Sequence, residues 1–184
     1  MRITMTDWIH NVLKGHIREG DCCIDATMGK GNDTLFLCRM AGNRGNVTAF
    51  DIQPEALELT KEKLEKNGCS ARLILQSHAC MKDYFEPETV QCIMFNLGYL
   101  PGGDHSIATK PEVTTAAVRA GLELLKPGGI MSICIYSGGD SGFEERDRVL
   151  EFLKQLDDRK YFIVRQDFIN KKHDPPMPVF IIKL

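Results

Sequence analysis

Long apolar runs are missing from this sequence: nowhere do about 18 apolar residues follow one another, and the first ten residues lack the apolar core of a signal peptide. Neither a membrane span nor export is therefore expected, and the cytoplasm is the expected compartment. No C-x-x-C pair occurs among the seven cysteines (Cys22, Cys23, Cys38, Cys69, Cys80, Cys92 and Cys134), which excludes the usual zinc and redox-disulfide patterns. Their number is odd and most lie in apolar runs such as Cys-Cys-Ile and Ile-Cys-Ile, so they read as small core residues in a reducing compartment. An excess of charge of one sign is lacking too. With 23 Lys and Arg against 25 Asp and Glu the net charge is -2. That excludes broad, non-specific nucleic-acid binding, which needs clustered cations, and leaves room for a local basic patch. Lys30, Lys110, Arg119, Lys171 and Lys172 are the candidate phosphate contacts, set against the alternative of a merely solvated surface.

What is present is an ordinary globular balance, 43% hydrophobic and 26% charged, in a 184-residue chain that suits one domain spanning 1–184. Any substrate site must then share that domain with any cofactor site. A first helix is expected from Thr6 as N-cap through Trp8, Ile9, Val12 and Leu13 to near Gly20, packing on or near the substrate side. Short β-branched or apolar runs follow at Cys22 to Ala26, Val47 to Phe50, Arg72 to Leu75, Val90 to Phe95 and Ile130 to Tyr136. Helix signals fill several of the gaps. One helix opens with Pro54, carries Leu57, Thr60 and Leu64 on one face, pairs Glu62 with Lys66 and stops at Gly68. Another spans Pro111 to Leu125, and a third starts at the capping box Ser141-x-x-Glu144 and turns Val149, Phe152, Leu153 and Leu156 inward. This alternation predicts a parallel sheet. The last two strands, Tyr161 to Phe168 and Pro178 to Lys183, are separated by too few residues for a helical crossover and should pair antiparallel. A seven-stranded, mostly parallel α/β sheet with helices on both faces and a terminal antiparallel hairpin resembles the Rossmann-like class I methyltransferases from about residue 20 onward.

Chemistry concentrates at the ends of the expected strands. Asp25-Ala-Thr27-Met-Gly29-Lys-Gly31-Asn32-Asp33-Thr34 follows the first strand and opens a helix, the setting in which glycines let backbone approach a ligand. Thr34 stands where a dinucleotide fingerprint expects Gly or Ala. Asp25 would repel a pyrophosphate and attract the ammonium of a methionine moiety, which favours S-adenosylmethionine over a dinucleotide. Asp51 closes the second strand twenty residues beyond Gly31, placed to accept both ribose hydroxyls, with Ile52 and Gln53 bordering the adenine. Ser77 and His78, after the third strand, sit where class I enzymes contact the adenine edge. After the fourth strand comes Asn96-Leu-Gly-Tyr99-Leu-Pro-Gly-Gly-Asp104-His105-Ser. Asn96-Leu-Gly-Tyr99 is similar to the N-P-P-Y motif of amino-group methyltransferases: an Asn carbonyl accepts an N–H of the amine while an aromatic ring packs on a flat base. Leu97 and Gly98 replace the two prolines. Asp104 and His105 are candidate acceptors for the departing proton, or shapers of the loop. No metal is implied.

Together D-A-T-x-G-x-G-N-D-T, F-D-I-Q, N-L-G-Y-L-P-G-G-D-H-S and the terminal N-x-x-x-x-P-P (Asn170, Pro175, Pro176) closely resemble the MnmM (YtqB-like) family, labelled rRNA methylases, over essentially the full chain. The resemblance implies S-adenosylmethionine-dependent methylation of 5-aminomethyl-2-thiouridine at the tRNA wobble position, the partner being the tRNA anticodon loop. Many members have Y-P-G-H after the fifth strand, whereas here it is Tyr136-Ser137-Gly138-Gly139, so no histidine role carries over to Gly139. The rivals are an rRNA or small-molecule amine methyltransferase of the same fold, and a non-catalytic cofactor-binding RNA module. Monomer and homodimer both remain open.

Overall fold

A computed structural model describes residues 3–97, 111–136, 142–170 and 175–184. The elements in chain order are α1 (Met5–Leu13), β1 (Cys22–Asp25), α2 (Asn32–Ala41), β2 (Asn46–Asp51), α3 (Pro54–Lys66) and β3 (Arg72–Leu75), then a 3-10 turn (His78–Asp83), β4 (Val90–Leu97), α4 (Pro111–Leu124), β5 (Leu125–Ile135), α5 (Gly142–Lys154), β6 (Tyr161–Arg165) and β7 (Met177–Lys183). They build one seven-stranded sheet in the order β3-β2-β1-β4-β5-β7-β6. The five strands β1 to β5 run parallel, and β7 joins antiparallel to both β5 and β6, as the short C-terminal connection requires. Chain order reverses between β1 and β4. In an open α/β sheet a crevice forms there, outside the carboxyl ends of the strands, and ligands bind in it.

Period-two alternation divides the core between the two faces. Ile24 of β1 and Ile93 and Phe95 of β4 face one way, into a cluster with Ala117, Val118 and Leu122 of α4 and Val149 and Leu153 of α5. Cys23, Cys92 and Met94 face the other way, against Ile9 and Leu13 of α1 and Leu37 and Ala41 of α2. Phe152 and Leu156 pack only partly buried on the first cluster. Four cysteines are buried, Cys22, Cys69 and Cys80 are half-buried, and all seven are free thiols. Glu62 and Lys66 pair as α3's spacing predicts, 3.2 Å apart.

The largest departures from expectation are in α1, at the start of β5, and at the end of β6, which stops at Arg165 rather than Phe168. α1 is capped by Thr4, not Thr6: the Thr4 hydroxyl accepts from the Asp7 N–H while the Asp7 carboxylate accepts from the Thr4 N–H, a capping box with Asp in the third position. The helix ends at Leu13 rather than near Gly20, because turns at His16 and Asp21 carry the chain to β1. β5 begins at Leu125, directly after α4, and the Lys126-Pro-Gly-Gly129 segment bulges out before pairing resumes at Ile130. Ser141, the expected cap of α5, lies outside the described residues.

Candidate active site

The loop after β1 is pinned from both neighbouring strands. Ala26 N–H donates to the Met94 carbonyl (2.8 Å) and Met28 N–H to the Phe50 carbonyl (2.9 Å), so the chain leaves β1 still bonded to β4 and β2. Gly29 N–H donates to Asp51 Oδ2 at 3.0 Å, and the Gly29 carbonyl accepts from the buried Thr60 hydroxyl of α3 at 3.2 Å. Asp51 Oδ1 accepts from Gln53 N–H at 3.0 Å, which starts the turn into α3. Asp51 is only half-buried, and each of its oxygens keeps a second lone pair for a ligand hydroxyl. Ile52 is 56% exposed beside it, a flat apolar surface at the rim. Because loss of Asp51 would remove charged hydrogen bonds and free Gly29, Asp51→Ala should weaken S-adenosylmethionine binding by about 1.5 to 3 kcal/mol in titration calorimetry. Unchanged affinity would remove Asp51 from the site.

Gly31 shows why the loop needs glycine. Its φ is +72°, and a Cβ there would stand 2.8 Å from Thr60 Oγ1 and 3.0 Å from the Thr60 Cα. Gly31→Ala combines left-handed strain with a backbone clash and should cost about 2 to 4 kcal/mol in urea unfolding. A cost below about 0.5 kcal/mol would show that the loop relaxes freely.

Several expected contact residues turn out to be occupied with one another. Asp25 is fully buried: Oδ1 accepts from Thr27 N–H (3.1 Å) and Oδ2 from the Thr34 hydroxyl (2.6 Å), so it braces the loop and reaches a ligand only through its field. Burial, and then the charge of neighbouring Asp33, push its carboxyl up to about 7, against the downward pull of the Thr34 and Thr27 hydrogen bonds. A carboxyl raised in the folded state stabilises the fold at low pH, and that contribution is lost as pH rises from the ordinary carboxylate range through about 7. The melting temperature of wild type minus that of Asp25→Asn should therefore fall between pH 5 and pH 8. A constant difference would show that Asp25 is charged throughout.

Asn32 is exposed and its side-chain oxygen accepts from Lys63 Nζ. Asp33 is 5% exposed and accepts from two donors, His10 Nε2 on Oδ1 at 2.6 Å and the Asn96 side-chain amide on Oδ2. Asn96, next to last in β4, is half-buried, and its own N–H donates to Thr27 Oγ1 at 2.7 Å. His10 is the residue that sequence reasoning missed. It lies 23 positions before Asp33 on a different helix, and no local motif marks it.

Ser77 caps the 3-10 turn by accepting from Ala79 N–H. Behind it His78 is buried, and its Nδ1 donates to the Ala26 carbonyl at 3.1 Å. A carbonyl can only accept, so Nδ1 carries the proton, and burial pulls the ring's pKa down and keeps it neutral. Nε2 is left a buried acceptor without a donor. Gly31 is the N-cap of α2 and leaves its first-turn N–H groups with no side-chain cap. An uncapped helix N-terminus suited to a carboxylate and the spare lone pairs of Asp51 fit the carboxylate and ribose of S-adenosylmethionine, whereas His78 Nε2 is too buried to meet a ligand. Tyr99, Asp104, His105, Lys110, Lys171 and Lys172 lie outside the described residues. Lys30 is exposed, Arg119 lies over the Phe152 ring at 4.8 Å, Asn170 is exposed, and Pro175 and Pro176 are half-buried. Among the described residues no group of His, Cys, Asp or Glu could hold a metal ion, and no helix is long and apolar enough to cross a membrane.

Known proteins resemble this chain in sequence and in fold. The family model described as "Putative rRNA methylase" matches residues 47–182. The chain is 36% identical to a "tRNA (mnm(5)s(2)U34)-methyltransferase, chloroplastic" of Arabidopsis thaliana, over 97% of this chain and 69% of that protein. A crystal structure of a "putative rRNA-methylase" from Clostridium thermocellum superposes with a TM-score of 0.95 at 45% identity, covering 100% of both chains. A Streptococcus mutans protein described as a "putative methyltransferase", crystallised with SAH, gives 0.89 at 36% identity, again covering 100% of both chains. The protein thus belongs to the rRNA methylase family, and it is a class I methyltransferase that uses S-adenosylmethionine.

Proposed function

We propose that the protein methylates the nitrogen of the 5-aminomethyl group on a wobble 2-thiouridine of tRNA, giving the 5-methylaminomethyl form, and that it does so in the cytoplasm. The observation that carries the amine reading is the orientation of Asn96. Its amide nitrogen is committed to the Asp33 carboxylate, so its carbonyl oxygen is the group left to accept an N–H at the carboxyl end of β4, beside the crevice. The name of the Arabidopsis relative supports the particular nucleoside.

An alkylamine has a reference pKa near 10.4, so at pH 7 only about one molecule in two or three thousand is neutral and nucleophilic. Making the neutral form dominant corresponds to about 4.6 kcal/mol. S-adenosylmethionine supplies an electrophilic methyl on a sulfonium, and that positive charge disfavours protonation of an amine beside it. Asn96 Oδ1 accepts one N–H and aims the lone pair, Tyr99 stacks on the base, and Asp104 or His105 takes the departing proton. Positioning supplies most of the rate in such a transfer, which needs nitrogen, methyl and sulfur in line.

A second reading, methylation of an rRNA base, is favoured by the family description. A nucleoside digest of RNA from cells lacking the protein separates the two. The proposal expects 5-aminomethyl-2-thiouridine to accumulate in tRNA as the methylaminomethyl form disappears. Unchanged tRNA with a methyl missing from rRNA would establish the second reading instead.

A further inference from the structure

We infer that His10, on the N-terminal helix, is a positioning residue for methyl transfer: through Asp33 it fixes the side-chain amide of Asn96 with its carbonyl oxygen turned toward the acceptor amine. This inference rests on the aminomethyl reading above and adds a residue to it.

The assignment follows from what each group can donate. A carboxylate only accepts, so the Asn96 atom facing Asp33 must be the amide nitrogen, and the other amide atom must be the carbonyl oxygen. The same rule puts the proton of His10 on Nε2, the nitrogen 2.6 Å from Asp33 Oδ1. Asp33 is almost wholly buried, so each of its oxygens depends on a protein donor. The plane of the donor is set as well. The His10 imidazole lies flat on the ring of Phe36, with centroids 3.9 Å apart and planes 6° from parallel. Phe36 stands three residues after Asp33 on α2, so one helix carries both the carboxylate and the surface that aligns its donor.

α1 itself is anchored from its middle to its C-terminal end. Ile9 and Leu13 are buried in the core, and the Trp8 indole N–H donates to Gln166 beyond β6. Three elements distant in sequence thereby meet in a line from α1 through α2 to β4. Without the His10 donor, Asp33 would keep one engaged oxygen, and its carboxylate could rotate beside the fully buried Asp25. Asn96 would then be free to flip, presenting amide N–H groups to an amine that needs an acceptor.

Two substitutions separate the hydrogen bond from the packing. His10→Phe keeps a ring on Phe36 and removes the donor, whereas His10→Gln keeps an N–H donor and removes the ring stack. Methylation of tRNA carrying 5-aminomethyl-2-thiouridine is measured for both, with S-adenosylmethionine affinity by calorimetry, thermal stability, and the side-chain amide proton signal of Asn96 by NMR, identified as the one missing from Asn96→Ala. His10→Phe should lower turnover about tenfold with cofactor affinity within about twofold, and His10→Gln should recover most of the loss. The Asn96 amide signal should lie downfield in wild type and in His10→Gln, and move toward the free-amide position in His10→Phe. Wild-type turnover in His10→Phe, an unmoved amide signal, or turnover that merely follows melting temperature across both variants would overturn the inference. Failure of the wild-type protein itself on that tRNA, with the amide signal moving as described, would sink the substrate reading and leave the positioning of Asn96 standing.

Discussion

Replacing Asn96 with alanine is expected to lower turnover at least about tenfold while leaving S-adenosylmethionine affinity close to that of wild type. Apart from its amide bond to Asp33, the Asn96 side chain makes none of the contacts that shape the cofactor side. Thr27 accepts from the Asn96 backbone N–H, Gly29 is held by Asp51 and Thr60, and Asp25 is held by Thr27 and Thr34. The substitution therefore deletes the amine acceptor and one donor to Asp33. Losing that donor leaves a buried carboxylate with His10 alone, so about 1 to 3 kcal/mol of stability should go with it. Stability and turnover are separable by measuring rates well below the melting temperature with saturating cofactor. Intact turnover combined with collapsed cofactor binding would show that Asn96 serves the cofactor and not the acceptor.

The fold was largely legible in the residues, and the reasons are local. β1 to β4 announce themselves as short apolar runs, Pro54 starts α3 because its fixed φ suits a first turn, and the nine residues between Phe168 and Pro178 leave no room for a crossover helix. Boundaries failed where two readings fit the same letters. Thr4 and Thr6 both precede polar first-turn positions, and only the reciprocal bond with Asp7 chooses Thr4. The start of β5 was hidden by Pro127, Gly128 and Gly129, which read as a loop and in fact form a bulge inside the strand.

The site was legible as a set of positions and less so as a set of roles. Asp25, Asp33 and Thr34 carry the composition of a cofactor loop, yet their side chains hold one another, Asn96 and His10. Sequence spacing cannot distinguish a carboxylate that meets ligand from one that braces the residue beside it. The bare Nε2 of His78 is likewise invisible in sequence, since it arises from a bond to Ala26, 52 positions earlier.

The largest effect is expected in the substrate itself. The purified protein should methylate tRNA bearing 5-aminomethyl-2-thiouridine at the wobble position and ignore the same tRNA with unmodified uridine, because only the former offers an sp3 amine for Asn96 to orient. A uridine N–H is held in a planar ring with no lone pair to aim, so alignment gains nothing there. Recognition of an unstacked anticodon base also suits a chain of net charge -2, since stacking and edge contacts replace a wide basic surface. Both tRNAs are incubated with enzyme and S-adenosylmethionine, digested, and their nucleosides weighed by mass spectrometry. A gain of one methyl confined to the aminomethyl nucleoside is the predicted result; equal methylation of the unmodified tRNA, or methyl transfer to rRNA alone, would contradict it.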